Sequence, residues 1–200
     1  LAIAQPRVVF YPCIPPKDDS LLVEGSSEES HLVSSGNEMT YSGIPSAKVN
    51  IHEARMIAYL AEETYQDVMR RKSEFNIDKE LGIIVPYRHQ IAMVRSLLQT
   101  SNHPLLANVT IDTVERFQGS EKNTIIYGFT VSRPSQLNFL CDSQYEDQYG
   151  QTIDRKLNVA LTRARERTLL VGNPEILTQV PLFAQLIAEV PSVEETRRES

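Results

Sequence analysis

Two short segments carry residue types that act on phosphate. The first, Thr113-Val114-Glu115-Arg116-Phe117-Gln118-Gly119-Ser120-Glu121-Lys122, sets a glycine between a glutamine and a charged pair. Gly119 lets the backbone approach a ligand closely, and Gln118, Glu121 and Lys122 offer hydrogen bonds to a sugar or phosphate. A polar turn with an unpaired charge pair fits the same string equally well. The second segment, Leu157-Asn158-Val159-Ala160-Leu161-Thr162-Arg163-Ala164-Arg165-Glu166-Arg167, carries arginines at alternating positions where a helix gives way to a strand. Arginine is permanently charged and forks onto phosphate oxygens. Arg163 and Arg167 share one helical face if the helix reaches that far. Spacing alone slightly favours ordinary cationic charge at a helix C-terminus.

Other chemistries find no support. His31, His52, His89 and His103 lie far apart without metal-ligand spacing. No GxSxG elbow and no GxGxxG fingerprint occurs. Asp112, at a strand end, would need a nearby acidic pair to act as a phosphoacceptor, and Asp18-Asp19 sit in a polar stretch instead. Cys13 and Cys141 are far apart with no CxxC, against a disulfide framework or a structural zinc site. Free thiols and the lack of a secretory signal point to an intracellular protein, cytoplasmic or nuclear. No run approaches the ~20 apolar residues that span a bilayer, so no membrane is implied. Lysine plus arginine against aspartate plus glutamate is 20 − 26 = −6. That balance weighs against a broad basic nucleic-acid surface but not against a narrow groove with a few phosphate contacts. The 200 residues suit a single domain, and a chain opening on Leu1 rather than Met is expected to be a piece of something longer.

The elements that must position these segments can be read from hydrophobic patterning. Arg7-Val8-Val9-Phe10-Tyr11 reads as a strand closed by Pro12. Residues 15–47 are polar and small, predicting a solvated insertion rather than a lid. Asn50 and Glu53 form a capping-box-like start to a helix carrying Ala54, Ile57, Leu60, Ala61, Tyr65 and Val68 at helical spacing and ending in Arg70-Arg71-Lys72. Leu81-Gly82-Ile83-Ile84-Val85 is continuously apolar, as in a strand covered on both faces, and Pro86 stops it. A helix follows over 87–99, strands over 109–112 and 124–131, a polar irregular loop over 132–152, a helix over 154–165 and a strand over 168–171. Alternating buried strands and amphipathic helices predict an α/β fold with a mostly parallel, doubly wound sheet. Ligands bind such sheets beyond the carboxyl ends of the strands, which directs attention to Pro86-Tyr87-Arg88, Thr113-Val114-Glu115 and Gly172-Asn173-Pro174.

Taken in order, Ile83-Ile84-Val85-Pro86-Tyr87-Arg88-His89-Gln90, then Thr113 to Lys122, then Leu157 to Arg165 followed by Val171-Gly172-Asn173-Pro174 resemble motifs IV, V and VI of superfamily I helicases. The match is to the branch that holds the nonsense-mediated-decay RNA helicase and its DNA-acting relatives. The LNVALTRAR…VGNP string is highly specific, FQGSEK resembles that branch's motif V core, and the likeness covers residues 81 to 177 well. It implies a three-layer RecA-like P-loop NTPase fold, with residues 1–200 forming the second motor domain of a helicase.

By that resemblance Arg163 reaches across an interdomain cleft to the γ-phosphate of ATP as an arginine finger. Gln118, Gly119, Glu121 and Arg165 line the nucleotide, Glu121 at its ribose or rim. Thr113 binds the strand backbone, while Pro86, Tyr87 and Gln90 line a groove for single-stranded DNA or RNA without reading sequence. Ser120 and Asn123 stand where the family usually has a basic residue and an acid. The stretch between motifs V and VI is longer and more acidic than usual. Acid repels phosphate, so residues 142–147 are expected away from the strand path. No GxxxxGK[ST] loop and no strand ending in Asp-Glu appears. ATP with Mg2+ would therefore be held mainly by an N-terminal RecA-like domain of the same polypeptide, and this piece alone would be inactive. The competing expectation is a non-catalytic RecA-like scaffold that binds protein or nucleic acid.

Overall fold

The continuously apolar run Leu81–Ile84 forms β2, and all four of its residues are buried near the middle of a sheet. Such a run needs cover on both faces, and only a three-layer arrangement supplies it. The computed structural model describes residues 8–15, 48–117 and 121–191. Nearly all of the insertion expected over 15–47, together with Gln118, Gly119 and Ser120, lies outside them.

Five strands build the main sheet: β1 (Val8–Pro12), β2, β3 (Thr110–Asp112), β4 (Lys122–Gly128) and β7 (Ala164–Gly172). Their order is β1-β7-β4-β2-β3, and every pairing is parallel. Register aligns Ile83 with Ile126 and Ile126 with Leu169. Successive strand residues point to opposite faces, and the two cores follow that rule. Ile83, Ile126 and Leu169 pack on one side with Ala54, Ile57 and Leu60 of α1 (Ile51–Arg71) and with Val94 and Leu98 of α3 (Arg88–Gln99). Ile84, Ile125 and Leu170 pack on the other with Leu157 and Ala160 of α5 (Arg155–Thr162), Leu177 of α6 (Pro174–Leu177) and Phe183 of α7 (Pro181–Glu189). This is the α/β/α layering of a RecA-like domain.

Three expectations are revised. The Asn50 side chain caps α1 by accepting from the Glu53 N–H at 3.0 Å, but the Glu53 carboxylate does not reach back. It turns inward and accepts from the N–H and hydroxyl of Thr130. The strand after α5 begins at Ala164 rather than Thr168, so Arg165 and Arg167 are strand residues and share no helical face with Arg163. The polar stretch 132–152 is not irregular throughout. It holds a 3-10 turn at Pro134–Gln136, the short helix α4 (Leu137–Cys141) and an antiparallel hairpin of β5 (Gln144–Glu146) and β6 (Thr152–Asp154). Gly150 takes the left-handed backbone of the hairpin turn at φ 75°, and Asp147 accepts from the N–H groups of Tyr149 and Gln151.

Candidate functional site: two clusters at opposite sheet edges

Because all five strands run the same way, the sheet has one amino edge and one carboxyl edge. The expected site residues divide between them. Pro86, Tyr87 and Thr113 follow β2 and β3 at the carboxyl edge, as the doubly wound rule anticipates. Glu121, Arg163 and Arg165 precede or open β4 and β7 at the amino edge, where that rule does not look. The seven residues of β4 set the two clusters about 20 Å apart at ~3.3 Å per residue.

At the amino edge the C-terminus of α5 meets the start of β4. Arg163 is the C-cap residue of α5. Its N–H donates to the Ala160 carbonyl at 3.1 Å, and its carbonyl accepts from the Lys122 N–H at 2.9 Å. Its Nε is buried with no hydrogen-bond partner, an unusual state for a guanidinium nitrogen. Arg165 Nε donates to Glu121 Oε2 at 3.0 Å, and both side chains are more than half exposed. An exposed pair of this kind contributes only ~0–1 kcal/mol, so either member can exchange its partner for a ligand at little loss. Arg167 is committed elsewhere. Its Nε donates to Thr124 Oγ1 and its Nη2 to Asp67 Oδ2, both at 3.1 Å, tying β7 to α1. The alternating arginines thus have three different environments.

Lys122, offered by sequence as a phosphate donor, is not available as one. It is buried, and its Nζ donates to the Asp78 carbonyl at 2.7 Å, where burial lowers its pKa. Asn123 Nδ2 donates to Glu80 Oε2 at 2.8 Å, and Lys72 Nζ donates to Glu80 Oε1 at 2.8 Å. Burial acts to raise the Glu80 carboxyl, but these two hydrogen bonds and the charges of Lys72 and Arg71 outweigh it and hold the pKa below its ordinary value. Residues 122 and 123 therefore anchor the end of the motif V segment to α2 (Ile77–Glu80) and leave Glu121 facing outward.

At the carboxyl edge Tyr87 begins α3 and stacks on Phe139 with ring centroids 4.9 Å apart. Pro86 and Thr113 are half-buried, and the Thr113 carbonyl accepts from the N–H groups of Arg116 and Phe117. A cleft of about 80 Å³ lies between the ends of β2 and β3, walled by Pro86, Val114, Glu115, Phe139, Leu140 and Lys156. Gln90 departs from its expected place in a groove. It is fully buried, and its amide accepts from the Asn50 N–H at 2.8 Å and donates to the Asn50 carbonyl at 3.0 Å. Both functions of the amide are taken up in fastening the start of α1 to α3. The acidic stretch is also nearer than expected. Asp142 Oδ1 lies 3.0 Å from Lys156 Nζ at the rim of this cleft, although Glu146 and Asp147 sit out on the hairpin.

Sequence reasoning missed Phe139, Lys156 and Glu53. Phe139 lies within the polar stretch and Lys156 just beyond it, neither with a spacing signal of its own, while Glu53 carries only the signature of a capping box. It is wholly buried, and burial pushes its carboxyl up to about 8 against the hydrogen bonds from Thr130. Thr130 adopts a left-handed backbone at φ 55°, a conformation rare for a β-branched residue. Among the described residues no group of three His, Cys, Asp or Glu could hold a metal ion, and no helix is long and apolar enough to cross a membrane.

The chain is 29% identical over 145 residues to helicase sen1 of Schizosaccharomyces pombe, which covers 72% of this chain and 8% of the relative. It is 37% identical over 113 residues to regulator of nonsense transcripts 1 of Dictyostelium discoideum, covering 54% of this chain and 8% of the relative. It is 31% identical over 156 residues to the mouse DNA replication ATP-dependent helicase/nuclease DNA2, covering 72% of this chain and 13% of the relative. The chain thus spans only about a tenth of the length of these relatives. Residues 8–175 match the AAA domain family. With the parallel five-stranded sheet and the ordered motifs IV, V and VI, the chain belongs to that family as a superfamily I helicase domain of the C-terminal type, in the branch of these three relatives.

Proposed function

We propose that this chain is the C-terminal motor domain of an ATP-dependent helicase or translocase and completes an ATP site formed with an N-terminal RecA-like domain of the same intracellular polypeptide. The observation that carries the reading is the buried, unpartnered Nε of Arg163 beside the exposed Glu121–Arg165 pair. A buried N–H without an acceptor is costly, and an anion arriving from outside the domain is the acceptor this arrangement fits. Arg163 and Arg165 would hold the terminal phosphate of ATP, and Glu121, freed from Arg165, would meet the ribose. Bound there with Mg2+ from the partner domain, ATP supplies the free energy of the cycle. Gln118 and Gly119 belong to the same rim by their place in the motif.

The chain's own residues do the rest. Arg163 presents a fixed cation whose backbone is clamped on both sides by Ala160 and Lys122. At the opposite edge Pro86 and Thr113, with the exposed Phe139 ring stacked on the buried Tyr87, offer a half-apolar surface for the backbone of single-stranded DNA or RNA, a contact that positions a strand without reading its bases.

The test is Arg163→Ala in the full-length protein, with strand-stimulated ATP hydrolysis as the readout. A loss of roughly 10³-fold or more is expected from removal of an arginine finger, with the fold unchanged by circular dichroism. Hydrolysis near the wild-type rate would remove the role and favour a non-catalytic RecA-like scaffold.

A further inference from the structure

Lys156 is held by three groups at once. Its Nζ lies 3.0 Å from Asp142 Oδ1, 3.8 Å from Glu115 Oε1 and 4.7 Å from the centroid of the Phe139 ring. Those partners come from the segment after α4, the turn after β3 and α4 itself, so one ammonium joins three separate pieces of the carboxyl edge. Lys156 is the half-buried member of the cluster, while Asp142 and Glu115 are more than half exposed. Two carboxylates around one ammonium leave the cluster with a net negative charge, at the mouth of the cleft walled by Pro86 and Val114. Beside it, α3 starts without a side-chain cap and without an acid in its first turn, so its N–H groups add positive potential. The start of α3 favours an anion there, yet the lysine that would receive it already has carboxylate partners.

We propose that Lys156 is a phosphate contact for the single strand, and that Asp142 and Glu115 occupy it in the strand's absence, so that nucleic acid enters by exchanging a carboxylate for a phosphate on one ammonium. The inference rests on the strand-binding reading above and adds to it a residue and a gate. Exposed carboxylate partners are weak, which makes exchange feasible. Their local repulsion of phosphate disfavours strands that fail to reach Lys156. The acidic insertion then has a use beside the groove rather than a need to be kept away from it.

The experiment measures equilibrium binding of labelled oligothymidylate and oligouridylate to the full-length protein without nucleotide, over a series of salt concentrations. Asp142→Asn is expected to tighten binding about two- to five-fold, the worth of one exposed ion pair. Lys156→Met should weaken binding and flatten the slope of log affinity against log salt by about 0.7, one phosphate contact on a single strand. Lys156→Arg should restore both, and in the Lys156→Met background Asp142→Asn should tighten binding less than it does with Lys156 present. The proposal is overturned if Asp142→Asn weakens binding, if its tightening is undiminished without Lys156, or if Lys156→Met leaves the slope unchanged. Wild-type protein that binds neither strand defeats the strand-binding reading and this inference together. Wild-type protein that binds while all variants match it defeats this inference alone.

Discussion

Replacing Glu53 by Gln tests whether a buried acid, and not a capping-box side chain, secures the carboxyl edge. Glu53 is the third residue of α1, and its Oε1 holds Thr130 while its Oε2 has no partner. Burial raises its carboxyl from an ordinary 4.5 to about 8. A group that binds its proton more tightly in the folded chain than in the unfolded one contributes stability that is complete below the unfolded value. That contribution is lost as pH rises through the folded value. The window here is therefore pH 4.5 to about 8. At about 1.4 kcal/mol per pH unit the loss across it is on the order of 5 kcal/mol, a large share of a domain's ~5–15 kcal/mol. Glutamine does not titrate. Its oxygen can still accept from Thr130, but its amide nitrogen takes the place of an atom without a partner, lowering stability at acid pH by roughly 1–3 kcal/mol. The two stability curves should therefore cross. Cys13 does not interfere, because burial, and then the neighbouring Glu53, push its thiol up to about 12. Urea unfolding of both proteins in steps between pH 4.5 and 9 gives the difference directly. A gap that stays constant across the range would refute the assignment of this titration to Glu53.

Two further substitutions probe the segment between the two clusters. A Cβ at Gly82 would lie 2.5 Å from Phe117 Cζ and 2.9 Å from Lys122 Cγ, so Gly82→Ala should destabilise by roughly 1–3 kcal/mol through overpacking, read as a lower urea midpoint. Asn123→Asp restores the acid usual in the family but sets a second carboxylate where Asn123 now donates to Glu80 at 2.8 Å. Stability at pH 7 should fall by roughly 1–3 kcal/mol, and the deficit should shrink near pH 4, where the carboxylates take up protons. A deficit independent of pH would show that repulsion is not the cause.

What could be read from the chain depended on how local the governing contacts are. β2 was plain because four successive apolar residues can sit only between two layers, and α1 because its buried positions recur at one period. The start of β7 was not. Arg165-Glu166-Arg167 looks like the solvated end of a helix, and only pairing with Lys122 and Thr124 of a strand some forty residues earlier in the chain makes it extended. Gln90 was misplaced for a similar reason. A buried amide and a ligand-binding amide look alike in sequence, and what distinguishes them is the backbone of Asn50, forty residues away. The stretch 132–152 lacked an apolar period because its hairpin stands outside the core, with Tyr149 79% exposed.

The motif V segment joins two parallel strands by an unusually short link. The link from β3 to β4 occupies residues 113–121, shorter than the dozen or more residues usual for a parallel crossover. It must still travel from the carboxyl edge, where Thr113 lies, to the amino edge, where Glu121 lies. Its first residues are spent in a turn, where the Thr113 carbonyl accepts from the N–H groups of Arg116 and Phe117. Phe117 fixes it partway, almost fully buried against Gly82 of β2, and Lys122 and Asn123 fix its far end on α2. Under the proposed function, a phosphate that displaces Glu115 and a nucleotide that displaces Arg165 from Glu121 act at opposite ends of one segment, with the buried Phe117 ring between them. The glycine at 82 is then required less for its backbone freedom than for the space it leaves that ring.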